Sequence, residues 1–221
     1  GSIALGVAFD GDGDRMGAVD DLGRVLSPDH VLMLLAEDVL ARNQGALVIA
    51  DVKTSDGFFE RIKAKGGTPL MWLTGHAHIK TKMAEAGAKF AGEASGHIFF
   101  ADEYYGYDDG LYAALRLIRL VAESGKKLST LVDALPPLFT SPEIRIECAD
   151  DKKFGVIATL QQQFPQAVTL DGVRVTTPEG WWLIRASNTQ AALSARAEAR
   201  CADSLARVMH AMHHALAENG I

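Results

Sequence analysis

Between residues 46 and 124 short apolar runs alternate with segments of helical spacing, and this alternation limits the fold more than any other feature. Residues 46–50, 68–72, 89–91 and 98–100 read as strands, and 57–65, 78–86 and 111–124 as helices. Strands separated by helices predict an α/β layer with a largely parallel sheet, because a parallel return needs a crossover. Ahead of this region, residues 3–9 read as a buried strand. Residues 16–19 and 24–26 read as a hairpin around 20–23. Ser27-Pro28-Asp29 is a helix start, with a capping hydroxyl, proline at the first position and an acid in the first turn. Leu32, Leu35, Val39 and Leu40 continue it as an apolar stripe.

The pattern changes after Pro136-Pro137. Strands are expected at 143–147, 173–175, 182–184 and 193–199, with helices at 154–163 and 204–218. That order is α+β, so a boundary is placed within 135–142. At 221 residues the chain is long enough for two such domains with cores of their own.

Charge and cysteine content narrow the function classes. Twenty-two basic against 28 acidic residues give a net charge of −6, which argues against nucleic acid or an anionic membrane as partner. A local basic pocket for a small anion stays open. Two cysteines, Cys148 and Cys201, suit a reducing cytoplasm better than a disulfide framework. No apolar run approaches a membrane span and no signal peptide is visible. The chain opens Gly1-Ser2 without an initiator methionine, which reads as a cleavage scar on part of a longer protein.

Three segments carry chemistry. Asp10, Asp12 and Asp14 alternate with glycine after an apolar strand, so a curling loop can bring the carboxylates together. Like charges that close repel unless a cation sits among them, and hard oxygen donors suit Mg²⁺ or Ca²⁺. An EF-hand would want glycine sixth and glutamate twelfth, where Arg15 and Asp21 stand. An aspartyl-nucleophile phosphohydrolase of the haloacid dehalogenase type also puts Asp-x-Asp after a strand, though Asp14 is unusual there.

Gly92-Glu93-Ala94-Ser95-Gly96-His97 falls in a turn between strands. Glu93 and Ser95 are expected on one side, suited to sugar hydroxyls, with His97 near a phosphate or a moving proton. A tight turn with a capping Glu93 is the plainer reading. In Arg185-Ala186-Ser187-Asn188-Thr189, the arginine fork and clustered donors suit an anion, or else an ordinary polar loop. Lys53 sits at the carboxyl edge of a strand, where α/β sheets bind ligands; a solvated lysine is the alternative. Gly75-His76 and His78 precede a helix carrying Lys80 and Lys82, and a His-x-His metal site there lacks a neighbouring carboxylate or third histidine in sequence. His210, His213 and His214 read as a polar helix face, Asp108-Asp109 as acids at a helix start, and Trp181-Trp182 as core or hinge packing.

Taken in order, the Asp10–Arg15 loop, Gly75-His76, Gly92–His97 and Arg185–Thr189 closely resemble the α-D-phosphohexomutases, particularly the bacterial phosphomannomutase/phosphoglucomutase branch. Asp51-Val52-Lys53 and Tyr107-Asp108-Asp109-Gly110 extend the likeness over nearly the whole chain. The resemblance implies a three-layer α/β phosphohexomutase domain followed by a smaller α+β C-terminal domain. Residues 1–26 would be the tail of the family's second domain, 27–138 its third and 139–221 its fourth. Asp10, Asp12 and Asp14 would hold Mg²⁺ together with a phosphoserine oxygen, and Arg15 would help hold that phosphoserine. Glu93 and Ser95 would bind sugar hydroxyls, and His97 would lie near the transferring phosphoryl. Lys53, Gly75 and His76 would line the cleft, and Arg185, Ser187, Asn188 and Thr189 would grip the non-reacting phosphate of a glucose or mannose phosphate.

Two departures stand out. Thr189 is followed by Gln190-Ala191 rather than the common Thr-x-Pro, and position 94 is alanine where relatives commonly carry Met or Gln. No serine here has the neighbourhood of the family's phosphorylated serine. The resemblance therefore implies a C-terminal portion, inactive alone, whose partners are hexose phosphates and the missing N-terminal domains. A phosphohydrolase using Asp10 and a non-catalytic sugar-phosphate-binding module are the rival readings.

Overall fold

The computed structural model describes residues 3–221, so the Gly1-Ser2 opening lies outside the described residues. The chain forms two compact units that divide between Pro136 and Pro137.

The first unit begins with an antiparallel ribbon of β1 (Leu5–Phe9) and β2 (Met16–Asp20), in which Phe9 pairs with Met16. Sequence reading made the first strand buried; in the structure its residues are half-buried to exposed, with Phe9 at 43%. A two-stranded ribbon covers little of itself, and the neighbour it has is a helix farther along the unit. The expected second hairpin arm is a single bridge between Val19 and Val25. Asp20 closes that turn by accepting from the backbone of Leu22 and Arg24 and from Arg24 Nε at 2.7 Å.

Helix α1 (Pro28–Arg42) starts at the predicted cap, where Ser27 Oγ accepts from Asp29 N. There follow β3 (Leu47–Asp51), α2 (Asp56–Ala64), β4 (Thr68–Trp72), α3 (His76–Ala86), β5 (Phe90–Gly92), β6 (Ile98–Phe100), α4 (Gly110–Ser124) and α5 (Leu128–Asp133). The sheet order is β4-β3-β5-β6. Strand β3 is parallel to both β4 and β5, while β6 returns antiparallel through the tight 93–96 turn. Ile49, Ala91 and Phe99 join Ile79 and Met83 of α3 in one apolar cluster. Gly92, of opposite parity to Ala91, faces Leu32 of α1. Alternation along a strand therefore puts α1 and α3 on opposite faces of the sheet. The six-residue α5 escaped sequence reading because it is too short to show a period.

In this order the chain leaves β3 for one neighbour and later returns to its other side, so the carboxyl end of β3 is a topological switch point. Ligands of open α/β sheets bind in that crevice.

The second unit is built on one antiparallel sheet. Strand β7 (Phe139–Thr140) and β8 (Ile144–Glu147) precede α6 (Asp150–Gln163), β9 (Val173–Thr177), β10 (Gly180–Ala186), β11 (Ala192–Ala199) and α7 (Ala202–Glu218). Both β7 and β8 pair with β11, and Ser141 bridges their interruption by exchanging hydrogen bonds with Ala197. Trp182, Ile184, Ala195 and Ala197 pack with Ile157 and Leu160 of α6 and Val208 and Met212 of α7. Trp181 points into a separate contact, with the Arg174 guanidinium 3.8 Å from its ring centre. Helix α6 starts four residues before the expected position, with Asp150 and Asp151 in its first turn and Lys153 on its buried side. No described helix is long and apolar enough to cross a membrane.

A Cβ on Gly92 would lie 2.1 Å from Leu32 Cδ2, and Leu32 is fully buried. Gly92→Ala is therefore expected to destabilise the chain by about 1–3 kcal/mol in urea unfolding, as overpacking does; an unchanged midpoint would contradict this packing.

Candidate functional site

The acidic loop spans the tip of the β1–β2 ribbon. Asp10 follows β1 directly and accepts from Arg15 N at 3.2 Å and Arg15 Nε at 2.7 Å. Gly13, at φ +76°, turns the chain, so the carboxylates converge through a bend rather than through extended alternation. Oxygens of Asp10, Asp12 and Asp14 lie within 4.8 Å of one another. Burial pushes the Asp10 carboxyl up, but the Arg15 hydrogen bonds outweigh it and hold the group below its usual range. Burial raises Asp14, helped by the two neighbouring carboxylates and opposed by His97. Asp14 Oδ1 is buried without a hydrogen-bond partner, with Arg15 Nε 3.7 Å away. An orphaned carboxylate oxygen inside a three-carboxylate cluster fits a small hard cation such as Mg²⁺.

This loop is packed onto the turn between β5 and β6. Arg15 forms a β-bridge with His97, Met16 N donates to Gly96 O, and Gly110 N donates to Gly13 O at 3.0 Å. A Cβ on Gly110 would come within 2.7 Å of Gly13 O, so glycine at the start of α4 is what admits the loop. His97 Nδ1 lies 3.0 Å from Asp108 Oδ2 and 3.7 Å from Asp14 Oδ2. Its ring stacks on His76 at 5.5 Å between centroids. Burial lowers the His97 pKa against the pull of Asp14 and Asp108.

Asp108 is the residue that sequence reading misplaced. Asp109 does cap α4, accepting from Tyr112 N, but Asp108 is paired with Phe99 by a bridge and faces the histidines. Its Oδ1 accepts from Lys80 Nζ at 3.1 Å, and its Oδ2 lies 3.2 Å from His76 Nδ1. Burial raises Asp108, but the Lys80 hydrogen bond, a backbone hydrogen bond and the charges of Lys80 and His97 together outweigh it and leave the group lowered. So His76 has the carboxylate and further histidine, Asp108 and His97, that appear absent along the sequence, while His78 stays exposed.

At the switch point, Asp51 is fully buried and accepts from Thr54 Oγ1 at 2.7 Å, Thr74 Oγ1 at 3.1 Å and Ala94 N at 3.1 Å. Lys53, two residues on, is only 5% exposed, so the solvated-lysine alternative fails. Glu93 is 1% exposed and accepts from Gly75 N, the N-cap position of α3, where φ is +124°. Its carboxylate thus caps a helix, though not one of its own segment. Ser95 is half-buried in the same turn. Burial, then the Asp51 charge, pushes Glu93 up to about 7, against the Gly75 hydrogen bond and the Lys53 charge.

In the second unit Arg185 ends up 8% exposed on β10, its Nε donating to Asp171 Oδ2 at 3.0 Å. Sequence reading missed Asp171. Gly172 beside it has no room for a side chain, with Ile184 O 2.3 Å from a built Cβ, and so lets the turn lie against β10. After Arg185 the chain turns through Ser187, Asn188 and Thr189. Ser187 Oγ accepts from Thr189 N at 3.4 Å and Gln190 N at 3.2 Å, and Asn188, Thr189 and Gln190 are exposed. His210, His213 and His214 are exposed on α7, as a polar face.

Because folding raises the Glu93 pKa from its ordinary 4.5 to about 7, the stability this group supports is complete below pH 4.5 and is lost as pH rises through 7. Glu93→Gln removes that loss. Relative to wild type, the variant is expected to gain stability between pH 4.5 and 8, by on the order of 3 kcal/mol at most. Denaturation curves that keep a constant offset across this range would sink the assignment.

The family model described as "Phosphoglucomutase/phosphomannomutase, alpha/beta/alpha domain III" matches residues 27–139, and the "C-terminal domain" model of the same family matches 143–215. A Pseudomonas aeruginosa phosphomannomutase/phosphoglucomutase is 46% identical over 208 residues, covering 92% of this chain and 45% of the relative. A Neisseria gonorrhoeae phosphoglucomutase is 42% identical over 216 residues, covering 95% and 47%. The crystal structure of a Burkholderia thailandensis phosphoglucomutase/phosphomannomutase family protein superposes with a TM-score of 0.88 at 43% identity, covering 96% of this chain and 46% of that one. The chain therefore spans about half the length of the relatives it matches. An EF-hand, which needs helices on both sides of its loop, is excluded by the ribbon that carries Asp10–Asp14. The domain order, the sequence identity and the superposition agree, and the chain belongs to the phosphoglucomutase/phosphomannomutase family.

Proposed function

We propose that this chain is the C-terminal part of a mutase that interconverts hexose 1-phosphate and hexose 6-phosphate. In the intact parent a phosphoserine gives its phosphoryl to the sugar, a bisphosphate forms and reorients, and the other phosphoryl returns to the serine. Residues 1–26 are the tail of the preceding domain with the metal loop, 27–138 the sugar-binding domain and 139–221 the phosphate-binding domain. The observation that carries this reading is the docking of the Asp10–Asp14 loop on the 93–97 turn, which brings Asp14 to 3.7 Å from His97. A metal-binding loop and a sugar-binding turn are thereby side by side in one unit.

Each side chain has a physical task in this reading. Asp10, Asp12 and Asp14 hold Mg²⁺, which when bound neutralises charge on a transferring phosphoryl. Arg15, fixed by Asp10, directs its guanidinium to the phosphoserine. His97, oriented by Asp108, holds or moves the proton of the accepting hydroxyl. Glu93 and Ser95 take two sugar hydroxyls. With a pKa near 7, Glu93 can accept from one as a carboxylate or donate to one as an acid. Lys53, Gly75 and His76 line the cleft. Arg185, Ser187, Asn188 and Thr189 hold the non-reacting phosphate. Contacts to the third and fourth hydroxyls are blind to carbon 2, where glucose and mannose differ, so both sugars are accepted.

The phosphoryl donor is not among this chain's serines, so turnover is not expected from it alone. The test is a coupled assay of the purified chain with glucose 1-phosphate, Mg²⁺ and glucose 1,6-bisphosphate, alongside calorimetric titration with glucose 6-phosphate. Expected are no turnover, weak binding that Arg185→Ala abolishes, and Mg²⁺ affinity that Asp12→Asn lowers at least about tenfold. Clear turnover, or binding indifferent to Arg185, would refute the assignment.

A further inference from the structure

Lys153 occupies a place where helical periodicity calls for an apolar residue. With Ile157 and Leu160 it forms the buried stripe of α6, at 4% exposure. A buried ammonium is tolerated only when its donors are satisfied, and Lys153 Nζ has three partners. It donates to Ser187 O at 2.7 Å and Gln190 O at 2.9 Å, and it pairs with Asp150 Oδ1 at 2.6 Å. Two of these partners are backbone carbonyls of the 187–191 loop.

The consequence follows from peptide geometry. All peptide bonds in the described chain are trans, so the N–H of a peptide unit points opposite to its C=O. With the carbonyls of Ser187 and Gln190 drawn inward to Lys153, the N–H groups of Asn188 and Ala191 are turned to the outer side of the loop. The N–H groups of Thr189 and Gln190 are taken up by Ser187 Oγ. The loop therefore presents amides on the side away from Lys153, while its inward carbonyl dipoles are compensated by a positive charge. Outward amides above a buried cation leave a positive face of the kind that suits an anion. This chain also lacks the common proline after Thr189, having Gln190-Ala191 there, so the cross-link from below does the stiffening.

We infer that Lys153 is a positioning residue for phosphate binding, which sets the polarity of the 187–191 loop so that the Asn188 and Ala191 amides receive a phosphate monoester. The inference rests on the proposed function above, in which this loop holds the non-reacting phosphate.

The test uses the full 221-residue chain, with glucose 6-phosphate as probe and binding followed by amide NMR. In wild type, saturable shifts are expected at the Asn188 and Ala191 amides, and the Lys153 ammonium protons should exchange slowly with water. Lys153→Met, an apolar replacement suited to the buried stripe, is expected to weaken binding by about tenfold or more, the scale of losing a charge-assisted hydrogen-bond set. Lys153→Arg, which keeps the charge and donors, should recover most of that loss. A general loss of structure would not be rescued in this way and would move signals across the whole second unit. Unchanged affinity in Lys153→Met, or wild-type binding that leaves the Asn188 and Ala191 amides unmoved, would overturn the inference while leaving the proposed function standing. Absence of any wild-type binding would overturn both. If Lys153→Met does not fold, the wild-type ammonium signal decides, and exchange at the rate of surface lysines would overturn the inference.

Discussion

The first unit's site depends on one buried carboxylate. Asp51 stands at the carboxyl end of the central strand with no exposure, and burying such a group costs several kcal/mol unless donors surround it. The donors come from three separate connections: Thr54 after β3, Thr74 after β4 and Ala94 after β5. Satisfying one charge thus ties together the loops that carry Lys53, Gly75-His76 and Glu93. The same charge acts on Glu93, where it adds to burial in holding the proton. Alignment of the loops and the weakened acidity of Glu93 share a cause.

A second layer of order comes from like charges held close. Asp10, Asp12 and Asp14 crowd one loop, and Asp108 joins Asp14 beside the same ring nitrogen of His97. Arg15 and Lys80 balance part of this, each by a hydrogen bond to a carboxylate. Two glycines make the approach possible: Gly96, at φ +100°, in the turn, and Gly110, where a side chain would meet the acidic loop. The second unit solves its charge problem differently. Arg185 is held by Asp171, and Lys153 is buried under a loop whose carbonyls it satisfies. In both units the candidate site side chains and loops are held in place by charged partners that sequence reading did not place in the site.

Much of this was legible along the chain. Strand β4 and helix α1 fall where periodicity and capping put them, and the change of pattern at Pro136-Pro137 coincides with the division into units. The Asp10–Asp14, Gly92–His97 and Arg185–Thr189 segments stood out because their residue types are costly to place together without a use. What escaped were residues whose partners are far away in sequence. Asp108 read as a helix-start acid because its neighbour Asp109 is one. Lys153 does not stand out along the chain, because lysines are mostly solvated. Asp171 carried no local signal at all.

The sequence by itself determined the elements and the candidate donors, since hydrophobic period, capping residues and clustered carboxylates act over a few neighbouring positions. Tertiary structure alone decided which donors face which partners. It paired His97 with Asp108 rather than with a residue of its own turn, lifted Glu93 toward neutrality by burying it beside Asp51, and turned the 187–191 carbonyls onto Lys153. The physical reason is that desolvation and charge depend on what surrounds an atom in three dimensions, and those surroundings are assembled from segments 11 to 83 positions apart or from helices whose buried side no single segment reveals.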